Sequence, residues 1–115
     1  MQITIKSNGR TLVFKLNDSP AAKDLYAQLP LTTQVQNYGT NEKIFYPPET
    51  LDTHHAIESN GNIGSLAYYE PWGNVVIFYK PFSPTPGCRL YNLGQITSGS
   101  EHIKDLAGTI EISKE

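Results

Sequence analysis

The stretch from Ser65 to Lys80, Ser-Leu-Ala-Tyr-Tyr-Glu-Pro-Trp-Gly-Asn-Val-Val-Ile-Phe-Tyr-Lys, constrains the fold more than any other part of the chain. It is the most apolar and most aromatic run in the sequence. It reads as two strands, Leu66–Glu70 and Val75–Lys80, folded back on each other at Pro71-Trp72-Gly73-Asn74. Proline pre-sets φ for a turn, and glycine or asparagine takes the positive φ that a tight hairpin demands. The arms are Tyr, Val, Ile and Phe, which fit a pleated, buried surface. The rest of the chain has to wrap this hairpin.

From the N-terminus, Ile3 and Ile5 alternate with polar residues, and Asn8-Gly9 is a two-residue hairpin signal. The return strand, Arg10 to Asn17, sets Leu12, Phe14 and Leu16 on one face. Asp18-Ser19-Pro20 opens a helix, with Asp18 or Ser19 as cap and Pro20 at the first helical position. Ala22, Leu25, Tyr26 and Leu29 share one helical face, and Pro30 stops the helix. Leu31, Thr33 and Val35 alternate as a third strand, Tyr38-Gly39-Thr40-Asn41 turns, and Glu42 to Tyr46 makes a fourth. Pro47 to Gly64 has no period and many breakers, and a connection of that kind in a compact domain is often functional. After the central hairpin, Pro81 to Arg89 is a second loop and Leu90 to Thr97 another strand. Ser98-Gly99-Ser100-Glu101 fits a capping box for a helix carrying Ile103, Leu106 and Ala107, which Gly108 ends. Thr109 to Ser113 is the last strand.

The expectation is one domain, residues 1–115, mainly β, with eight strands and two short helices. Neighbouring strands joined by turns imply a mostly antiparallel sheet. Eight strands can close into a barrel filled by side chains, and closure removes exposed edges. Each helix then plugs a barrel end or covers part of the outside. Charged residues are only 17% of the chain and the net charge is −2, without a basic stripe, which argues against binding along a nucleic-acid backbone. Neither a membrane span nor a signal peptide is visible, and Cys88 is the single cysteine, so a cytoplasmic protein is expected.

Three stretches carry a family resemblance. Ser19-Pro20-Ala21-Ala22-Lys23-Asp24-Leu25 resembles the first-helix entry of cyclophilins. Leu66 to Asn74 with Val75 to Tyr79 resembles the cyclophilin hairpin "LSMAN…GSQFFI", and Leu93 to Ile103 is similar to "FGKVVEGMDVV". Tyr38-Gly39, Asn41-Glu42-Lys43-Ile44 and Tyr69-Glu70-Pro71-Trp72-Gly73-Asn74 resemble a bacterial and archaeal group of short cyclophilin-like domains. The resemblance implies a closed, eight-stranded cyclophilin-like β-barrel. It also raises peptidyl-prolyl isomerisation, which in that family uses an arginine and a pocket for the proline ring. Phe78 sits where the resemblance places the pocket phenylalanine. The arginine position falls on Lys43 or Ile44, and lysine is a point charge, not a planar fork. The family's "QGGD" motif is absent, and the long loop before its "FF" is trimmed to Trp72-Gly73-Asn74.

The candidate site follows from these residues. Phe45, Tyr46, Tyr68, Tyr69 and Phe78 are candidate apolar walls of a cleft beside the hairpin. Phe45 and Phe78 are read first as core and second as cleft. Tyr68 and Tyr69 face opposite sides of their strand, so one of them can reach the cleft. Glu42 and Lys43 offer polar contacts or form a cross-strand charge pair. Asp52, His54, His55 and Glu58 form a polar loop that can supply further contacts. Adjacent histidines on extended chain point apart, and no His-x-His spacing is present, so no metal is assigned. His102 reads as exposed. Cys88 has no catalytic partner by spacing and reads as an incidental thiol. Trp72, at the hairpin tip, is either an exposed interface anchor or folded back over the barrel mouth. There is no glycine-rich phosphate loop, serine elbow or CxxC, and no cofactor is expected. The expected function is a module binding a small molecule or an extended peptide without efficient isomerase activity. The alternative is a peptidyl-prolyl isomerase with a degenerate site. Hydrolysis or binding at the histidine-bearing loop is a third reading, and the oligomeric state is left open.

Overall fold

The computed structural model describes residues 1–115. Eight strands close into one barrel: β1 (Gln2–Ser7), β2 (Arg10–Leu16), β3 (Leu31–Tyr38), β4 (Glu42–Phe45), β5 (Ser65–Tyr69), β6 (Asn74–Phe78), β7 (Leu90–Ser98) and β8 (Gly108–Lys114). Their order around the barrel is β1-β2-β7-β5-β6-β4-β3-β8, and every strand pairing is antiparallel. The sheet has no free edge, because β8 is hydrogen-bonded to β1 on one side and to β3 on the other.

Alternation along the strands sets the interior. Ile3 and Ile5 of β1, Leu12, Phe14 and Leu16 of β2, and Ile110 and Ile112 of β8 point inward and are fully or nearly fully buried. The central hairpin contributes Leu66, Tyr68, Val75 and Ile77 to the same core. Each large aliphatic side chain removed from water in this way contributes about 1.5–3 kcal/mol before the entropy of ordering is subtracted.

The barrel ends are closed by helical segments. α1 (Pro20–Ala27) begins at Ser19, whose side chain accepts the Ala22 N–H at 3.2 Å. Ser19, not Asp18, is therefore the cap. Ala21, Ala22 and Leu25 of α1 are buried in the barrel core. The second helix departs from the expectation. It is a 3-10 helix, Ser100–Asp105, entered through Gly99 in the left-handed region with no side-chain cap. Ser98 is the last residue of β7 and stays in the sheet, so the capping box does not form. A Cβ on Gly99 would lie 2.8 Å from the Thr11 carbonyl oxygen, a second reason for glycine there. Ile103 and Leu106 are buried in the core, whereas Ala107 is exposed. The helix lies at the end opposite α1, since Val13 pairs with Ser98 while Leu16 pairs with Gly94. The strands of the central hairpin are shifted slightly from their expected bounds: β5 stops at Tyr69 and β6 at Phe78, with the turn at residues 70–73.

Candidate binding groove

The outward face of β4, β6, β5 and β7 carries a second apolar layer. Register places Glu42 beside Phe78, Ile44 beside Val76, Ala67 beside Val76, and Tyr69 beside both Asn74 and Leu90. Ile44, Ala67, Val76, Phe78 and Leu90 form a small buried cluster separate from the barrel core, with Tyr69 and Cys88 packed against it. This explains why β6 is buried on both faces: Val75 and Ile77 fill the barrel, while Val76 and Phe78 fill the outer layer.

Two loops build the rim over this layer. In the second loop, Phe82 stacks on Phe78 with centroids 5.8 Å apart and planes within 5°. Phe82 is held there by its backbone N–H, which donates to the Gly61 carbonyl at 2.9 Å. Gly61 has φ +70°, and a Cβ there would lie 1.9 Å from the Phe82 carbonyl oxygen. The Gly87 N–H donates to the Glu58 carboxylate at 3.0 Å, which ties the same loop to the first one. On the other side Trp72 is half exposed and folds back along the outer wall. It meets Tyr38 edge-on at 5.1 Å and 78°, and Tyr69 at 5.5 Å and 73°. It thus lies along the outer wall and not over the barrel mouth, with half of its surface left exposed.

Between these rims lies a groove of about 240 Å³, lined by Tyr38, Glu42, Tyr69, Trp72, Asn74, Val76, Phe78, Phe82, Cys88 and Leu90. Its walls are apolar and largely aromatic, and it has no cationic side chain. Its polarity comes from two groups on adjacent strands. Glu42 is half-buried, and loss of solvent alone raises its carboxyl above the usual glutamate value. It takes part in none of the chain's ion pairs. Asn74 is 2% exposed, and its Oδ1 is buried without a hydrogen-bond partner. An unpaired buried acceptor of this kind costs about 1–3 kcal/mol.

Of the residues singled out in the sequence, the structure brings Glu42, Tyr69, Phe78 and Trp72 together. Phe45 and Tyr68 point the other way, into the barrel core, and are fully buried there. Tyr68 also accepts the Leu51 N–H at 3.2 Å through its hydroxyl. Tyr46 lies beyond the end of β4 and is exposed. Lys43 does not pair with Glu42, because consecutive residues of a strand face opposite sides. Its Nζ is 2.5 Å from Asn37 Oδ1 and 5.8 Å from the Tyr79 ring centroid. Burial lowers its pKa, and Asp105 opposes that shift. His54 and His55 do not point apart as expected. His55 has φ +56°, so the chain turns there, and the two rings meet edge-on at 4.0 Å. Both are exposed, and no group of three or more His, Cys, Asp or Glu side chains is placed to hold a metal ion. His102 is half-buried, its Nδ1 2.9 Å from Arg10 Nη1.

Sequence reasoning missed Tyr38, Asn74, Val76, Phe82, Cys88 and Leu90 as groove residues. The signal for Asn74, Val76 and Phe78 was present in their period of two. It becomes readable only when the outer face, not just the inner one, is known to be covered. Phe82 and Cys88 lie in an irregular loop, where no period exists to read.

The model of the Cyclophilin-like family matches residues 5–115, and the chain belongs to that family. No curated protein matched in sequence. Among solved structures, the chain is similar to the solution structure of the hypothetical protein AF2241 from Archaeoglobus fulgidus. The TM-score is 0.67 and the identity 17%, and the match covers 100% of this chain and 95% of that one. At that identity the likeness bears on the fold alone.

Proposed function

We propose that this cyclophilin-like domain is a binding module whose ligand sits in the groove between Trp72 and Phe82. The observation that carries the reading is the groove's construction. A closed barrel has no need of a second apolar layer on its outside, yet here one is built, roofed in part by an aromatic rim and left open between. Concave apolar sites with a few converging polar groups are the usual form of small-molecule sites. An extended peptide offering one apolar side chain is the second occupant the shape admits.

The isomerase reading has support in Phe78, which lies in the groove. Rotation about a prolyl amide is assisted by a cation near the amide nitrogen, set against an apolar pocket. The strand position on the groove face is Ile44, whereas Lys43 faces away, and the carboxylate of Glu42 occupies the rim. These positions favour binding over turnover.

Two measurements test this. Titration with benzyl alcohol and with an Ala-Ala-Pro-Phe anilide peptide, followed by amide and indole chemical shifts, is expected to move signals of Trp72, Val76 and Phe78. Shifts confined to other surfaces count against the groove. A protease-coupled assay on the same peptide is expected to give no isomerisation above background, and turnover lost on Phe78→Ala overturns the binding-only reading.

A further inference from the structure

The groove combines features that apolar ligands do not need. Tyr38 and Tyr69 each meet Trp72 edge-on, at 78° and 73°, and all three rings line the groove. Aromatic faces carry negative potential, and a cation within about 6 Å of a ring centroid is attracted to it. Glu42 lies beside Tyr38 and beside Phe78 in the strand register, on the same face as both. Its carboxylate has no cationic partner, although it is half-buried. Asn74 adds a buried oxygen with nothing to accept from. All these groups line one groove, and all favour positive charge or an N–H donor. At about 240 Å³ the groove is smaller than the ~300–1,000 Å³ of drug-sized sites, which suits a compact occupant.

Resting on the binding reading above, we infer that the groove is a site for a small organic cation: a free N-alkylated ammonium compound held by Tyr38, Trp72 and Tyr69, with Glu42 as counter-ion and Asn74 as acceptor for a polar hydrogen of the ligand. The aromatic rings hold the alkyl groups on nitrogen, whose hydrogens carry the spread positive charge. Glu42 supplies the full negative charge that the rings lack. Cys88 and Phe82 form the apolar side and contribute shape.

Choline and its neutral isostere 3,3-dimethyl-1-butanol separate charge from shape. Binding is followed on the intact chain by the indole and amide signals of Trp72 and by calorimetry. Choline is expected to bind at least about tenfold more tightly than the isostere. Glu42→Gln, which removes an unpaired half-buried charge, is expected to leave the fold intact and to lose about tenfold in choline affinity while sparing the isostere. Tyr38→Ala, at a half-exposed position, is expected to weaken choline as well. Equal affinities for choline and the isostere overturn the cation assignment and leave the binding reading standing. Groove signals that respond to neither compound, nor to benzyl alcohol, overturn both. A trimethyllysine peptide binding more than about tenfold tighter than choline overturns the free-compound assignment, since the ammonium group then belongs to a protein partner.

Discussion

Glu42 and Lys43 are neighbours in sequence and stand on opposite sides of the barrel wall. One carboxylate enters the outer groove, and one ammonium turns inward toward Asn37 and Tyr79. Burial shifts both away from their charged forms, raising Glu42 and lowering Lys43. The groove of this barrel thus carries a carboxylate and no cationic side chain.

The pH dependence of stability follows from that pair. The folded chain holds the Glu42 proton more tightly than the unfolded chain, so stability falls as pH rises from the unfolded value through the folded one. The groups flanking Glu42 are the Tyr38 phenol and the Phe78 ring, neither of them a cation. Glu42→Gln is expected to flatten this slope and raise stability at neutral pH, as measured by urea unfolding between pH 4 and 7, a range chosen to span ordinary carboxylates, about 4 upward. An unchanged slope counts against a desolvated Glu42. Lys43 works in the opposite sense: stability rises with pH only at the alkaline end, between its lowered folded value and the unfolded one.

Trp72 is the single tryptophan and half exposed, so the ligand-binding role proposed for it can be separated from its role in stability. Trp72→Ala is expected to cost no more than about 1.5 kcal/mol of stability, the scale of an aromatic pair. The same change is expected to abolish the response of the groove to choline. A double-mutant cycle with Tyr38→Ala measures the coupling, expected at about 0.5–1.5 kcal/mol.

Phe45 and Tyr68 face the core and distinguish barrel from groove. Phe45→Ala is expected to cost about 3–5 kcal/mol. Tyr68→Phe leaves the buried Leu51 N–H without its acceptor, at about 1–3 kcal/mol. In a Tyr68→Phe chain that remains folded, ligand affinity at the groove is expected to be unchanged. Loss of affinity there shows that the first loop, through Leu51, sets the groove's shape.

Two glycines are held by close approach. A Cβ on Gly94 would lie 2.3 Å from the Lys15 carbonyl oxygen, across the β2–β7 pairing. Gly94→Ala is expected to cost about 1–3 kcal/mol or more, read from thermal unfolding, because backbone on both sides must move. Gly61→Ala strikes the Phe82 carbonyl instead. Its expected result is local: chemical shifts at Phe82 and Phe78 change and ligand affinity falls, while most of the barrel spectrum is retained.

The barrel was legible because its interior obeys one period. Ile3, Ile5, Leu12, Phe14 and Leu16 alternate without interruption, and the closed fold follows from eight such runs. The 3-10 helix was misread because Ser98 and Glu101 satisfy a local pattern that the sheet overrides: Ser98 pairs with Val13. The groove was half legible. Trp72, Tyr69, Phe78 and Glu42 are readable from the sequence as cleft or interface candidates, but which side of the wall each occupies depends on register. Phe45 and Phe78 look alike in sequence and lie on opposite faces. Phe82 could not be found at all, because its place is set by a hydrogen bond to Gly61, far away in the chain.

The pairing of β8 with both β1 and β3 also bears on how the chain emerges from the ribosome. Until residues 108–114 are available, the other strands form at best an open sheet, with the edges of β1 and β3 unpaired. Exposed edges of this kind recruit other chains. Closure is thus the last pairing step of this barrel to become available. Ile110 and Ile112 seal the core from that strand, so a barrel without β8 lacks both its seam and part of its interior.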